Sequence, residues 1–309
     1  MRYSQSLLRS AILLALVVAA GCDSDVDSVM APTKMPSGPN ALIVPTGYSD
    51  VSVGANFGCA VRAVDGGLVC WGDNDYGKAT PPTVGSYRQV SAGVNNACAL
   101  RSDYYVVCWG QSDWGAASPP SITFSQVSAG NQYACGVRMD NRLVACWGRN
   151  QYGQMNAPAV AFTQVSAGDV HTCGVTFSDK SVLCWGSNDY GQTTVPPGVY
   201  NQVDVGGEYT CGVLSTGTMA CWGGNHYGQG VAQPGTYTQV SGDYTHTCAI
   251  RTSDHGIVCW GQDRVGMLNA PAGAYTEVSA GDNNPDAPSS RRSRPWPRPC
   301  FDGPSIHPR

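Results

Sequence analysis

The sequence has few charged residues, since Asp, Glu, Lys and Arg make up 13 % of its 309 residues. Its formal net charge of −4 gives no sign of a nucleic-acid partner, which would require a strongly basic surface. No apolar run reaches the roughly 20 residues that a membrane-spanning helix needs. The repeated part of the chain also has no helical period, so we predict an all-β fold.

Motifs of catalysis and cofactor binding are lacking as well. The sequence contains no nucleophile elbow, no phosphate-binding glycine loop and no His-Glu-x-x-His. His171 and His246 occupy one repeat position, where other copies have Phe57, Asn96, Tyr133 and Tyr209. That mixture is typical of a packing or rim position and not of a shared ligand site. We therefore predict a protein that is not an enzyme and that has no cofactor and no metal site.

Glycine, proline and cysteine are abundant, with 38, 20 and 14 residues. The cysteines mark a repeat. The tripeptide Cys-Trp-Gly occurs six times, beginning at Cys70, Cys108, Cys146, Cys184, Cys221 and Cys259. A second cysteine precedes each copy, at Cys59, Cys98, Cys135, Cys173, Cys211 and Cys248. Such a regular period indicates a repeat architecture.

Each repeat contains three short strand-like segments, which in the fourth copy read "FTQVSAG", "HTCGV" and "SVLCWG". The next segment, "SNDYGQTTVPPG", is broken by glycine and proline. One repeat is therefore a small antiparallel sheet that cannot bury both faces alone. Radial closure of such sheets gives a β-propeller, which has only short, protected edges.

The two cysteines of each repeat flank a hairpin. The midpoint between Cys173 and Cys184 falls inside the turn, so the two residues are direct cross-strand neighbours. We predict the disulfides Cys59–Cys70, Cys98–Cys108, Cys135–Cys146, Cys173–Cys184, Cys211–Cys221 and Cys248–Cys259. Free buried thiols and a metal site are the alternatives, although structural zinc favours more closely spaced cysteines and no Cys-x-x-Cys occurs.

The pattern "HTCGV…VLCWGSNDYGQ" resembles the repeat of the regulator of chromosome condensation family, which forms a seven-bladed propeller. The short repeat with its "YGQTTVP" ending is similar to bacterial members such as beta-lactamase-inhibitory protein II. The resemblance covers about residues 41–283 and implies a propeller of this type with six full repeats and a partial seventh blade. We do not expect the family's nuclear exchange-factor activity in an exported protein.

The seventh repeat begins at residue 272 but has no Cys-Trp-Gly. We therefore end the predicted propeller region, residues 41–284, within this incomplete repeat. Residues 285–309 are rich in proline and arginine and include Cys300; we predict a disordered tail without strands. Residues 41–54 align with the end of a repeat, so residues 41–45 would complete the seventh blade. With that blade incomplete, we expect a ring that is open or strained.

The N-terminus indicates export. Arg2 and Arg9 precede the apolar run 11–20, and "AAGC" resembles a bacterial lipobox. We predict a lipoprotein signal peptide at 1–21, lipid attachment at Cys22 and a flexible tether at 22–40. The alternative is ordinary signal-peptide cleavage beside an incidental cysteine. The predicted location is the bacterial cell envelope, held by a lipid anchor, with the choice of inner or outer membrane open.

The turn after each Cys-Trp-Gly carries an aromatic residue in five repeats: Tyr76, Trp114, Tyr152, Tyr190 and Tyr227. Symmetry should place these side chains in a ring near one face, where they would bind a partner; packing between blades is the alternative. We predict a non-catalytic scaffold that binds an unknown protein or glycan at the envelope. There are two alternatives. One is a secreted enzyme inhibitor, and the other is a lyase or hydrolase with its catalytic groups in the central channel.

Overall fold

The computed structural model describes residues 47–263 and 266–281, together with the backbone of residues 305–308. All of these residues belong to one compact unit, residues 36–309. They form an all-β propeller with six three-stranded antiparallel sheets and a two-stranded seventh sheet, which confirms the predicted fold. The predicted signal peptide, Cys22, the tether and residues 41–45 lie outside the described residues.

The blades share one strand order, inner to middle to outer. The inner strands are β1 (Tyr48–Val53), β4 (Tyr87–Ala92), β7 (Phe124–Ala129), β10 (Phe162–Ala167), β13 (Tyr200–Val205), β16 (Tyr237–Gly242) and β19 (Tyr275–Ser279). The middle strands are β2 (Phe57–Arg62), β5 (Asn96–Arg101), β8 (Tyr133–Arg138), β11 (His171–Thr176), β14 (Tyr209–Leu214) and β17 (His246–Arg251). The outer strands are β3 (Leu68–Gly72), β6 (Val106–Gly110), β9 (Val144–Gly148), β12 (Val182–Gly186), β15 (Met219–Gly223) and β18 (Ile257–Gly261), and β20 (Ser305–Pro308) pairs with β19.

The antiparallel order gives the propeller two distinct faces. The loop face carries the turn between the inner and middle strands and the start of the loop after the outer strand, which are residues 54–56 and 73–77 in the first blade. The hairpin face carries the turns between middle and outer strands, residues 63–67 in the first blade. Equivalent residues of the other blades lie on the same faces because the register repeats from blade to blade.

All six predicted disulfides are present. Cys173 lies directly opposite Cys184 in the β11–β12 ladder, with Cα atoms 4.0 Å apart. Pairs separated by 10 residues, such as Cys98 and Cys108, have the same cross-strand register as pairs separated by 11. Six disulfides indicate an oxidising environment outside the cytosol.

The hydrophobic core lies between the blades. In one cluster Tyr133 and Cys135 of β8 pack against Phe162 of the following inner strand and Trp185 of the following outer strand. The Trp185 indole Nε1 also donates a 2.8 Å hydrogen bond to the carbonyl oxygen of Gln154 in the preceding blade. The Cys-Trp-Gly tryptophans of blades two, three, five and six make the same bond, at 2.8 to 3.0 Å. These tryptophans therefore join neighbouring blades.

The ring closes between the seventh and first blades. The Val53 amide of β1 donates to the Ser279 hydroxyl of β19 at 3.0 Å. The equivalent serines form the same contact between other neighbouring inner strands, as from the Ala167 amide to Ser128 at 2.9 Å. Of the two predicted outcomes, an open or a strained ring, the open ring is wrong. Contacts between inner strands need only the inner strand of the seventh blade.

The predicted absence of strands in the tail is wrong for Ser305–Pro308. β20 pairs antiparallel with β19 and repeats the register shift seen in the other blades. The only proline in this strand is its last residue, and an edge strand tolerates a missing amide donor at such a position. The seventh blade thus has two strands in the described residues, in agreement with a partial blade.

Candidate functional site

The aromatic turn on the loop face has a built geometry. In the third blade the Asn150 side-chain oxygen accepts the Met155 amide at 2.9 Å, which closes the turn. The Tyr152 amide donates to the side-chain oxygen of the buried Gln154 at 2.8 Å. Gly153, with φ +76°, adopts a left-handed conformation that favours glycine. The turn is therefore anchored by buried groups while the aromatic side chain is directed outward.

The five aromatic side chains of these turns lie on the surface. Tyr76, Trp114, Tyr152, Tyr190 and Tyr227 are between 43 and 60 % exposed. By contrast, the Cys-Trp-Gly tryptophans Trp109, Trp147, Trp185, Trp222 and Trp260 are buried. The structure thus assigns packing between blades to one repeated aromatic position and a solvent-exposed ring to the other.

Neighbouring turns contact each other on this face. The Tyr190 ring meets the His226 imidazole edge to face, with centroids 5.3 Å apart. His226 lies 6.5 Å from the Tyr227 ring, and its Nε2 is 3.5 Å from a carboxylate oxygen of Glu208. The fourth and fifth blades therefore present a continuous aromatic and polar surface.

Polar side chains lie nearer the centre of the loop face. The Gln111 side-chain oxygen accepts hydrogen bonds from the side-chain amides of Asn95 and Gln132, at 3.1 and 3.0 Å. Asn131 donates to the Asp169 carboxylate at the channel mouth. We call these polar side chains the inner zone of the loop face. The ring of five exposed aromatic side chains surrounds it.

A polar channel of about 180 Å³ runs through the centre of the ring and is lined by the inner strands. Gln164 of β10 bonds the backbone of Val203 on β13 twice, as donor and as acceptor, at 3.0 Å each. The equivalent positions on β1 and β19 hold Asp50 and Glu277 in place of glutamine. The first and seventh blades are therefore joined by two carboxyl groups.

The two carboxyl groups share a hydrogen bond. Burial, and secondly the Asp50 carboxyl, raise the pKa of Glu277 from 4.5 to about 9. Burial raises the pKa of Asp50 from 3.8 to about 6, although a hydrogen bond from the Val90 amide opposes that shift. Asp50 also accepts the Val90 amide of the second blade, and Glu277 accepts the Val51 amide of the first blade. The pair therefore joins the seventh, first and second blades.

The two histidines of the shared repeat position are buried, which makes it a packing position and not a rim position. His171 bonds the Thr210 hydroxyl of the next blade at 2.8 Å, and burial lowers the pKa of His171 to about 3. His246 Nδ1 lies 2.9 Å from a carboxylate oxygen of Asp243, which is also buried. Both histidines connect structural elements inside the ring.

Sequence reasoning missed the channel carboxyls Asp50, Asp204 and Glu277. A signal for them was present in the repeat, because "SDVSV" and "TEVSA" replace the common glutamine, and "QVDVG" replaces the common serine. Among the described residues, no group of three or more His, Cys, Asp or Glu side chains has the arrangement of a metal site. The part of the chain that the structure describes also contains no helix with the length and apolarity needed to cross a membrane.

Fold and repeat together define a disulfide-linked β-propeller of the regulator of chromosome condensation type. Four segments, residues 48–78, 124–154, 162–192 and 200–229, match the regulator of chromosome condensation (RCC1) repeat family. Each segment extends from an inner strand to the turn with the exposed aromatic residue. A comparison with curated proteins gives no match.

Solved structures support the fold. The CRINKLY WD40 ectodomain of the Arabidopsis thaliana receptor kinase ACR4 is 26 % identical, with a TM-score of 0.66 over 75 % of this chain and 87 % of that chain. The Physcomitrella patens receptor kinase CR4 ectodomain is 26 % identical, with a TM-score of 0.61, and the match spans 72 % of this chain and 65 % of that one. Yeast RCC1 (Prp20), in a complex with Kap60, is 15 % identical with a TM-score of 0.62 over 75 % and 77 % of the chains, a likeness of fold alone.

Proposed function

We propose that this protein is an exported binding scaffold that recognises a partner protein through the loop face of its propeller. The observation that carries this proposal is the exposure of five aromatic side chains at equivalent positions of one face. Tyrosine and tryptophan are enriched among the residues that dominate binding energy at protein interfaces. Polar groups of the inner zone add hydrogen-bonding capacity beside them.

Rigidity of the aromatic turns supports the same role. The turns of the third, fourth and fifth blades are held by buried glutamines, Gln154, Gln192 and Gln229, which accept the amide of the aromatic residue. A turn that is ordered before binding loses little conformational entropy when a partner binds. The face is therefore suited to specific recognition.

Export is supported by the six disulfides and by the likeness to two plant receptor-kinase ectodomains. We further propose that residues 1–21 are removed and that Cys22 carries the lipid anchor. Binding of a partner would then take place at the cell envelope, at the end of the tether 22–40.

Metabolic labelling with a fatty-acid analogue tests the anchor. The wild-type chain should incorporate the label, and Cys22→Ser should abolish it because the lipid is attached through the cysteine sulfur. Cys300→Ser is the matched control, since Cys300 is the other cysteine outside the six disulfides, and it should keep the label. Equal labelling of all three proteins would contradict the lipid anchor.

Site-specific photocrosslinking tests the binding face. A photoreactive amino acid at Trp114, on the loop face, should form an adduct with a protein of the envelope fraction. The same amino acid at Val64, which is 87 % exposed on the hairpin face, is the control and should not. An adduct that glycosidase removes and protease leaves intact would indicate a glycan ligand instead.

Once the partner is isolated, Trp114→Ala and Tyr152→Ala should each weaken its binding by roughly thirtyfold, the cost of about 2 kcal/mol per interface anchor. Melting temperatures should change by only a few degrees, because exposed side chains contribute little to folding. Calorimetric titration and thermal unfolding measure the two effects. A large loss of stability with unchanged binding would assign these rings to packing and refute the proposal.

A further inference from the structure

Most carboxylates on the hairpin face are paired with an arginine of the same chain. Four of its hairpins contain an arginine–aspartate ion pair: Arg62–Asp65, Arg101–Asp103, Arg138–Asp140 and Arg251–Asp254, with closest N–O distances of 2.5 to 2.8 Å. In a fifth hairpin Asp179 accepts hydrogen bonds from the hydroxyls of Thr176 and Ser181, which are neutral donors. Four of the five aspartates in the hairpins of this face are therefore paired with a cation of the same chain.

Two aromatic rings near the hairpin face are also covered by arginines of the same chain. The Arg88 guanidinium lies 4.6 Å from the centroid of the Tyr104 ring. The Arg142 guanidinium lies 4.4 Å from that of Phe177. Both distances are typical of a cation–π contact. On this face the chain itself thus provides cations for carboxylates and for rings.

The loop face is different. Its described turns hold eight carboxylates and two cationic side chains, Lys78 and Arg149; the carboxylates are Asp73, Asp75, Asp113, Asp169, Asp189, Glu208, Asp243 and Asp263. Lys78 is buried and forms a 2.9 Å ion pair with Asp73. The face therefore has a marked negative charge, unlike the hairpin face.

Three of these carboxylates directly precede an exposed ring, in the dipeptides Asp75-Tyr76, Asp113-Trp114 and Asp189-Tyr190. Asp113 accepts a hydrogen bond from the Gln111 amide and Asp189 one from the Ser187 hydroxyl, both of which are neutral donors. Within the described part of the chain, no ion pair includes these three aspartates, and no Lys or Arg covers these three rings.

We propose that the loop face binds a protein surface rich in arginine, whose guanidinium groups stack on Tyr76, Trp114 and Tyr190 and pair with the adjacent aspartates. This inference rests on the proposed function and specifies the chemistry of the partner. Arginine fits both parts of each dipeptide, because its planar guanidinium stacks on an aromatic ring and donates to a carboxylate. The partner would supply on the loop face the cations that the chain supplies to itself on the hairpin face.

A defined peptide probe tests this inference before the partner has been isolated. The probe is a fluorescent peptide of about twelve residues with alternating Gly and Arg, compared with Gly-Lys, Gly-Ser and Gly-Glu versions of equal length. The Gly-Arg peptide should bind the oxidised full-length chain most tightly, with Gly-Lys weaker and the other two undetected. Its affinity should fall at least about tenfold between about 25 mM and about 300 mM NaCl, because salt screens exposed charges.

Matched charge variants locate the site. The triple variant Asp75→Asn, Asp113→Asn and Asp189→Asn should weaken binding of the Gly-Arg peptide at least about tenfold. The control is the triple variant Asp65→Asn, Asp103→Asn and Asp140→Asn, which removes the same number of charges from the hairpin face. It should change the affinity for the Gly-Arg peptide by less than about threefold. Trp114→Ala should reduce the preference for Gly-Arg over Gly-Lys, because arginine stacks on rings better than lysine does.

The outcomes separate this inference from the proposed function. If the loop-face triple variant binds the Gly-Arg peptide like the wild type, or if the Gly-Glu peptide binds equally well, the inference is refuted. A partner could be crosslinked at Trp114 and yet bind the triple variant as well as the wild type. That result would support the loop face as the binding site and refute an arginine-rich partner. Failure of crosslinking at Trp114 would count against the proposed function itself.

Discussion

Removal of one blade disulfide is expected to lower the free energy of unfolding by about 3 kcal/mol. The test variant is Cys173→Ala with Cys184→Ala, since Cys173 and Cys184 close a loop of sequence separation 11 in the fourth blade. The disulfide stabilises the blade chiefly because it restricts the unfolded chain. Both cysteines are replaced together so that neither is left as an unpaired thiol that could exchange with the other disulfides.

Full reduction should unfold the propeller. Six contributions of about 3 kcal/mol each exceed the 5–15 kcal/mol by which folded domains are usually stable. Urea denaturation followed by tryptophan fluorescence measures both effects, because five of the six Cys-Trp-Gly tryptophans are buried between blades. Cys300→Ser is the control for loss of a cysteine and should leave the unfolding midpoint unchanged. A reduced chain that retains the native midpoint would show that packing between blades is sufficient for stability.

The second expected result is a loss of stability as the pH rises. The folded protein holds the proton of Glu277 more tightly than the unfolded chain does, with a pKa of about 9 against 4.5. The unfolded state therefore binds fewer protons between these pH values, and the free energy of unfolding must fall as pH rises through that window. Asp50, whose folded pKa is about 6 against 3.8, acts in the same direction at lower pH.

Glu277→Gln should remove most of this pH dependence. Glutamine is the residue at the equivalent position of five other inner strands, where its amide donates and accepts without a charge. We expect the variant to be more stable than the wild type by roughly 2–5 kcal/mol at pH 9, and by little at pH 5. Urea midpoints measured across this pH range give the comparison.

Glu208→Gln provides the control, because Glu208 is the other glutamate of the sequence and lies on the loop face, away from the ring closure. It removes the same charge and should leave the slope of stability against pH nearly unchanged. If Glu277→Gln follows the wild-type slope from pH 5 to pH 9, the carboxyl pair does not control the stability of the closure between the first and seventh blades.

The sequence by itself determined the blade and its disulfide. The repeat of Cys-Trp-Gly predicts the number of full blades, and the cross-strand position of Cys173 and Cys184 follows from the hairpin between them. These features could be derived because they depend on residues close together in one repeat. The alternation of side chains along a strand and the position of a turn are local properties of the chain.

Only the tertiary structure decided which repeated aromatic is buried and how the ring closes. The Trp185 position is aromatic in six repeats and the Tyr190 position in five, so the pattern does not tell them apart. Burial depends on the neighbouring blade, whose Gln154 carbonyl accepts the Trp185 indole N–H. Asp50 and Glu277 lie at opposite ends of the repeat array and meet only when the ring is complete. The physical reason is the same in both cases: packing and desolvation arise from contacts between blades, and a local sequence pattern specifies only the blade.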